Sequence, residues 1–190
     1  MKHIGIIGAG ISGLVTAKTF LQKGYLVTIL EKSDQVGGVW NKKRSYAGVT
    51  TQTTRDEYAF SDFPMPADYP MWPSGSQVQE YLENYARHFG LLPYNIRFGV
   101  TVKRMNYDGF LWQLKLDNGE MLSFSYVVVC TGTFHDPYVP ELPGIQSYKD
   151  AGGIVLHSSE VASEDQLRDK DVAVVGFAKS ATDIATMASD

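Results

Sequence analysis

Apolar residues in the first part of the chain follow two different spacings. Residues 3–7 are a short apolar run that ends in glycines, and residues 25–30 are a second run rich in β-branched side chains. Between these runs, residues 11–23 place apolar side chains at helical spacing, and Gly24 is suited to end the helix. The order strand, helix, strand predicts a βαβ unit, in which the two strands are parallel and the crossover is right-handed.

The spacing changes again in the middle of the chain. Residues 74–89 return to helical spacing, which predicts an amphipathic helix. Between residues 96 and 129 the period becomes two, and Asp117-Asn118-Gly119 is a strong turn signal between strands. The run Val127-Val128-Val129 predicts a buried strand that opens onto Thr131-Gly132.

A proline-rich connection separates this region from a second strand-like run. Prolines occur at residues 137, 140 and 143, and residues 172–175 then predict another buried strand, followed by a turn at Gly176 and a helix. Strand, glycine and helix thus follow one another near each end of the chain. The whole pattern predicts an α/β fold: a Rossmann-like domain over residues 1–165, with a parallel sheet, helices and a β-meander, and the start of a second Rossmann-like domain over residues 166–190.

Composition narrows the classes of function. The 190 residues carry a formal net charge of −4 and are 44% hydrophobic, which is typical of a globular protein without a basic surface for nucleic acid. Cys130 is the only cysteine, so we expect no internal disulfide, redox dithiol or metal cluster, and a cytoplasmic location is predicted. No apolar stretch approaches the ~18 residues that a membrane span needs.

The glycines after the first predicted strand have the spacing of a dinucleotide site. Gly8, Gly10 and Gly13 form the pattern G-x-G-x-x-G between a strand and a helix. The first glycine permits a tight turn, the second lets a pyrophosphate approach the backbone, and the third lets the helix pack closely. Glu31 ends the next strand at the offset where a carboxylate binds ribose hydroxyls. Because its charge would repel a 2′-phosphate, the site is predicted to hold FAD or NAD rather than NADP.

A longer match selects the cofactor. Residues 31–40 contain the pattern E-x5-G-G-x-W and resemble the corresponding segment of flavin-containing monooxygenases and their Baeyer–Villiger relatives. Cys130-Thr131-Gly132 with Pro137, and residues 60–64 with the helix that follows, are similar to further segments of that family. The resemblance covers nearly the whole chain and implies that the first site binds FAD.

The predicted FAD-binding residues lie in the glycine turn, after the second strand and at later positions of the family pattern. They are Gly8, Gly10, Ser12, Gly13, Glu31, Lys32, Gly38, Val39, Trp40, Gln52, Val102, Thr131 and Gly132. Gln52 stands where many family members carry an asparagine near the flavin, and it is the one candidate catalytic residue. Its amide either contacts the flavin or belongs to an ordinary loop residue.

The resemblance also implies an NADPH site near residue 176. Residues 176–185 resemble the family fingerprint G-x-G-x-S-G-x-D-I-A, with alanines in place of two glycines. The candidate NADPH-binding residues are Gly176, Ala178, Lys179, Ser180 and Ala181. The methyl group of Ala178 stands where the pyrophosphate would approach, which is expected to weaken binding rather than abolish it. Lys179 either reaches a phosphate or is a solvated surface charge.

Another family motif, F-x-G-x3-H followed after three intervening residues by an aromatic residue, is only partly present. Gly153 and His157 match it, whereas Ala151 and Val161 replace its aromatic positions. The absence of tryptophan at position 161 argues against the Baeyer–Villiger branch. Taken alone, His157 is predicted to be a structural hydrogen-bonding residue rather than a catalyst.

The function implied by the resemblance is that of an FAD- and NADPH-dependent monooxygenase. In that family, NADPH reduces FAD, and one oxygen atom of O2 passes to a nucleophilic nitrogen or sulfur of a small-molecule substrate. The chain would be the N-terminal portion of such an enzyme and inactive by itself. Two alternatives stay open: a non-catalytic FAD-binding module or half of a split flavoprotein, and a Baeyer–Villiger-type monooxygenase.

Overall fold

The structure is a computed structural model that describes residues 1–134 and 136–189, and these residues form two compact units. The first unit comprises Met1–Asn41 and residues 76–134, and the second comprises Lys42–Gly75 and residues 136–189. The predicted border between residues 165 and 166 concerns the ligand that each part would bind, and it stays a prediction. Asp190, at the end of the predicted second domain, lies outside the described residues.

The regular elements of the described residues follow the predicted order closely. They are β1 (His3–Ile7), α1 (Ile11–Gln22), β2 (Leu26–Leu30), α2 (Arg55–Tyr58), α3 (Gly75–His88), β3 (Ile96–Arg97), β4 (Val102–Tyr107), β5 (Trp112–Leu116), β6 (Met121–Phe124), β7 (Tyr126–Val129), α4 (Ile145–Asp150) and α5 (Lys179–Met187). Short 3-10 turns occur at Gly38–Trp40, Ser158–Glu160 and Glu164–Gln166. Among the residues described, none of the helices is both long enough and apolar enough to cross a membrane.

A four-stranded sheet in the order β3-β2-β1-β7 forms the centre of the first unit. Strand β1 pairs in parallel with β2 and with β7, so Ile7 is in register with Leu30 on one side and Val129 on the other. Because the carboxyl ends of parallel strands meet at one edge, the segments that follow these three residues emerge together. The predicted βαβ unit is confirmed.

Two helices bury apolar stripes in the first unit. Helix α1 packs on β1 and β2 and buries Leu14 and Ala17. Helix α3 buries Val78, Tyr81, Leu82 and Tyr85, whose spacing of three and four residues puts them on one helix face. Among these, the aliphatic side chains of Val78 and Leu82 each contribute about 1.5–3 kcal/mol through removal from water. The predicted amphipathic helix over residues 74–89 is therefore confirmed as α3.

The strands β4, β5 and β6 form an antiparallel meander, as the period of two predicts. Its buried side chains Leu114, Leu116 and Phe124 pack together with Leu30 at the end of β2. Residue 5 must be small for this packing, because a Cβ on Gly5 would lie 2.8 Å from the ring of Phe124. The glycine inside β1 is thus explained by a contact with the meander.

Two predicted buried strands differ from the structure. Residues 171–177 belong to neither sheet, and Val172, Val175 and Phe177 are exposed. A strand needs a hydrogen-bonded neighbour, and within residues 1–134 and 136–189 no strand pairs with this segment. The prediction of a buried strand over residues 172–175 is therefore wrong for the chain described here. Strand β7 is present, but it ends the sheet order and Val129 is 55% exposed.

The second unit is mostly loop, as predicted for residues 41–73, and it has a small apolar cluster of its own. Helix α2 is one turn long, and Thr54 and Glu57 close it with a reciprocal capping box. The guanidinium of Arg55 donates hydrogen bonds to the carbonyl oxygens of Ala67 and Tyr69, which holds the loop around this turn. The cluster consists of the buried Val161, Leu167 and Ile184, with Tyr46 and Met187 packed against them.

Candidate functional site

Two glycines of the turn between β1 and α1 are required by the packing of the first unit. Gly8 has a φ of +104°, and a Cβ there would lie 2.5 Å from the carbonyl oxygen of Cys130. A Cβ on Gly13 would lie 1.9 Å from the carbonyl oxygen of Gly8. Both obstacles are backbone atoms, which cannot move aside like the end of a flexible side chain. Glycine at these positions lets the turn, α1 and the end of β7 pack together.

Gly10 differs from these two glycines, because the fold has room for a side chain there. A Cβ on Gly10 would meet its nearest neighbour, the Cα of Gly38, at 3.5 Å, which is an ordinary contact. Gly10 is also the N-cap of α1 and makes no side-chain capping bond. The first amides of a helix have no partners within the helix, and the helix dipole favours an anion beside them. The room at Gly10 therefore lies where a phosphate group would bind.

A second glycine pair, Gly37 and Gly38, faces this turn. The amide of Gly37 donates a hydrogen bond to the carbonyl oxygen of Ala9 at 3.0 Å. A Cβ on Gly38 would lie 3.1 Å from the Cα of Gly10, and Gly38 has a φ of +60°. The two backbone segments therefore pass close to each other without a side chain between them. This close approach explains why the pattern from residue 31 to residue 40 contains adjacent glycines.

The buried carboxylate of Glu31 connects both loops to the end of β2. Its Oε2 accepts a hydrogen bond from the amide of Ala9 at 2.7 Å, and its Oε1 accepts one from the amide of Ser33 at 2.8 Å. Such charge-assisted bonds to backbone amides are the stronger kind, and they offset the cost of burying the charge. Each carboxylate oxygen has a further lone pair. Glu31 can therefore hold the glycine turn and also accept a hydroxyl group.

We expect Glu31→Gln to destabilise the protein by about 1–3 kcal/mol, because a buried hydrogen bond is replaced by two facing donors. Whichever way the new amide is turned, its NH2 group points at the amide of Ala9 or of Ser33. Thermal unfolding of the flavin-free protein measures the effect. Glu120→Gln is the control, since that carboxylate pairs with Arg97 at a half-exposed position, where an ion pair contributes little to stability. Equal melting temperatures of Glu31→Gln and wild type would contradict the role assigned to the carboxylate.

Most other predicted FAD residues of the first unit are exposed near the carboxyl edge of the sheet. Exposed positions that follow β1, β2 or β7 are Ser12, Lys32, Val39, Thr131 and Gly132. Trp40 and Val102 differ, because Trp40 is buried and Val102 packs half-buried against the meander core. Gln52 is exposed in a loop of the second unit. Contact of any of these residues with FAD stays a prediction.

The predicted NADPH-binding residues lie in the second unit, at the start of α5. Ala178 is the N-cap of that helix and makes no side-chain capping bond. Gly176 has a φ of +148°, and a Cβ there would lie 3.0 Å from the Cβ of Ala181. The ammonium of Lys179 lies 2.6 Å from the carboxylate of Asp183. Lys179 is thus paired rather than a solvated charge, and phosphate binding by it stays a prediction.

Tyr46 contacts this ion pair through Asp183, a contact that no sequence pattern predicts. Its hydroxyl donates a hydrogen bond to Oδ2 of Asp183 at 2.7 Å, across 137 positions of the chain. Burial, together with the neighbouring carboxylate of Asp183, raises the pKa of Tyr46 far above its ordinary value, so the hydroxyl stays protonated. Its ring packs against the apolar cluster that contains Val161. No local pattern links residues 46 and 183, which is why spacing could not reveal the contact.

His157 and Gly153, the two matching residues of the partly present family motif, both have structural roles in the second unit. Nδ1 of His157 accepts a hydrogen bond from the amide of Ser159 at 3.2 Å, and the amide of His157 donates to Glu160 at 2.6 Å. These bonds cap the 3-10 turn, which is the structural role predicted for His157. A Cβ on Gly153 would lie 2.2 Å from the ring of Tyr148, so glycine there permits a ring contact.

The comparisons with known proteins agree with this geometry. The model of the family FMO-like, flavin-binding monooxygenase-like, matches residues 1–190. The chain belongs to this family. It is 36% identical over 206 residues to Flavin-containing monooxygenase 1 of Homo sapiens, a match that covers 99% of this chain and 38% of that protein. The resemblance stated from the motifs is therefore confirmed.

Two further relatives support the same assignment of this FMO-like protein. Indole-3-pyruvate monooxygenase YUCCA1 of Oryza sativa subsp. japonica is 35% identical over 182 residues, which are 95% of this chain and 43% of that protein. The structure of a mutant flavin monooxygenase from Stenotrophomonas maltophilia superposes with a TM-score of 0.86 at 26% identity, covering 100% of this chain and 55% of that chain. The chain thus spans about two fifths of the length of the curated relatives it matches.

The family implies a flavin cofactor, and the residues of the first unit fit one. The helix N-terminus after Gly10 has no side-chain cap, and Gly10 itself leaves room beside it, which suits a diphosphate. The buried carboxylate of Glu31 lies nearby and suits a ribose. The diphosphate would meet backbone amides and the hydroxyls would meet Glu31. The fit concerns the diphosphate and the ribose of the cofactor.

Proposed function

We propose that this FMO-like protein binds FAD in its first unit and serves NADPH-dependent oxygenation of a nitrogen or sulfur atom. The observation that carries the proposal is the glycine at position 10. The fold has room for a side chain there, so packing does not explain why the residue is glycine. A ligand diphosphate that must approach the helix N-terminus would explain it, because a side chain at position 10 would block that approach. The close approach of Gly38 to the same point supports this assignment.

Each residue of the proposed site has a physical task. The amides at the start of α1 bind the diphosphate, and the carboxylate of Glu31 accepts hydrogen bonds from the ribose hydroxyls. The turn Gly38–Trp40 lies beside the cofactor. When bound, FAD supplies the redox chemistry, whereas the protein binds it, orients it and excludes water. This division of labour explains why no acid–base pair is apparent among the candidate residues. Gln52 is proposed to hydrogen-bond the flavin, and the single thiol supports a cytoplasmic location.

The proposal is tested with the full-length protein. Flavin released by heat should be FAD, with about one molecule per chain, and O2 uptake with NADPH should rise when an amine or a thioether is added. N-oxide or S-oxide products then identify the oxygenated atom. Absence of flavin binding would overturn the proposal. Bound FAD that NADPH does not reduce would favour a non-catalytic flavoprotein, and a lactone product from a cyclic ketone would favour a Baeyer–Villiger-type enzyme.

We expect Ala178→Gly to strengthen NADPH binding several-fold, because it removes the methyl group at the N-cap of α5, where the pyrophosphate is proposed to approach. Stopped-flow reduction of the flavin at increasing NADPH concentration measures the apparent Kd. Ala185→Gly is the matched control, since Ala185 is exposed on the same helix and the change costs about 1 kcal/mol of helix stability. Equal or weaker NADPH binding by Ala178→Gly would argue against this placement of the second dinucleotide.

A further inference from the structure

Gln79 is a buried polar residue whose amide contacts a separate segment of the first unit. It lies on α3 with only 8% of its surface exposed. Its Nε2 donates hydrogen bonds to Oε1 of Gln35 at 2.9 Å and to the carbonyl oxygen of Val36 at 3.5 Å. A buried amide costs free energy unless it is hydrogen-bonded, and an apolar side chain of similar size would carry no such cost. The contacts of the amide therefore indicate its task.

These contacts are made to the segment that leads into Gly37 and Gly38. Gln35 and Val36 directly precede the glycine pair. Gln79 also packs behind the pair, because a Cβ on Gly37 would lie 3.4 Å from its Cγ. The amide and the stem of Gln79 thus support the same few backbone atoms.

The other side of the glycine pair faces the turn where the diphosphate is proposed to bind. The amide of Gly37 is bonded to the carbonyl oxygen of Ala9, and Gly38 approaches Gly10. The loop is therefore held from two sides, by the turn after β1 and by Gln79. The backbone bond joins Gly37 directly to the turn after β1, whereas Gln79 is a side chain on α3.

We infer that Gln79 is a positioning residue that fixes the Gly37–Gly38 loop against Gly10 and thereby sets the affinity for FAD. This inference rests on the proposed function, since it assigns the loop to the FAD site. Gln79 acts through Gln35 and Val36 and does not touch the cofactor. Loss of its amide lets the loop move away from Gly10. Returning the loop to its place on binding then costs free energy, which weakens FAD binding.

The experiment compares FAD binding with stability in the full-length protein. Flavin-free wild type, Gln79→Met, Gln35→Met and the double variant are titrated with FAD, and the quenching of flavin fluorescence gives each Kd. We expect Gln79→Met to weaken FAD binding roughly 5- to 10-fold, the equivalent of one lost hydrogen bond. Its flavin-free Tm should stay close to that of wild type, because the half-buried Gln35 can turn to water. Gln22→Met, at the exposed end of α1, is the control and should bind FAD like wild type.

The double variant shows whether Gln79 acts through Gln35. If it does, the double variant should bind FAD about as weakly as Gln79→Met alone. Wild-type affinity of Gln79→Met, additive losses in the double variant, or a loss of affinity matched by a loss of flavin-free stability would each overturn the inference. Should Gln79→Met fail to fold, Gln35→Met alone still carries the test. Failure of the wild type itself to bind FAD would overturn the proposed function instead.

Discussion

Gly13→Ala is expected to destabilise the protein by more than about 3 kcal/mol, near the upper end for a single substitution. The new Cβ would lie 1.9 Å from the carbonyl oxygen of Gly8, so α1 would have to move away from the turn that begins it. Urea unfolding of the flavin-free protein measures the free energy, and soluble yield is a second measure. Most of the effect should be present without FAD, because the obstacle belongs to the protein itself.

Gly24→Ala is the control for Gly13→Ala. Gly24 has a φ of +80° and nothing lies within 4 Å of a Cβ there, so alanine should cost only about 1–2 kcal/mol of backbone strain. If the free energy of unfolding of Gly13→Ala fell no further than that of Gly24→Ala, the packing assigned to the third glycine would be wrong.

Gly10→Ala is expected to give the opposite result: a folded protein that binds FAD much more weakly. A Cβ at this position fits the protein at an ordinary contact distance, and alanine at a helix N-cap costs about 1 kcal/mol or less relative to glycine. The methyl group would, however, occupy the place where the diphosphate is proposed to meet the amides of α1. Losing about two charge-assisted hydrogen bonds there should weaken FAD binding on the order of 100-fold.

Two measurements on Gly10→Ala separate these effects. The flavin-free Tm should remain within a few degrees of wild type, while titration with FAD reports the loss of affinity. Unchanged affinity would show that the empty position at Gly10 does not serve the cofactor, and the proposed site would lose its main support. A large drop in the flavin-free Tm would show that the fold does require this glycine.

Features that depend on neighbouring residues could be predicted from the sequence. The spacing of Gly8, Gly10 and Gly13 and the position of Glu31 at the end of the second strand follow from local geometry, and the structure has them as predicted. The amphipathic stripe of α3 and the meander could also be found, because a period of 3.6 or 2 is a property of consecutive positions. In these regions each local preference agrees with the final fold.

Features that depend on distant residues could not be predicted in the same way. The hydrogen bond between Tyr46 and Asp183 and the support of Gly37 by Gln79 join segments far apart in the sequence. The strand predicted over residues 172–175 failed for a related reason. Strand formation depends on a partner more than on composition, and β-branched residues alone do not supply one.

The different reasons for glycine at positions 8, 10 and 13 have an evolutionary consequence. Because the carbonyl oxygens of Cys130 and Gly8 would clash with a side chain at positions 8 and 13, substitution there destabilises the fold and is selected against whatever the protein binds. Under the proposed function, position 10 is constrained by the ligand, so a descendant that no longer needs the flavin can accept a side chain there at little cost in stability. On that proposal, a descendant with glycine at 8 and 13 but a larger residue at 10 would retain the fold and no longer bind the cofactor.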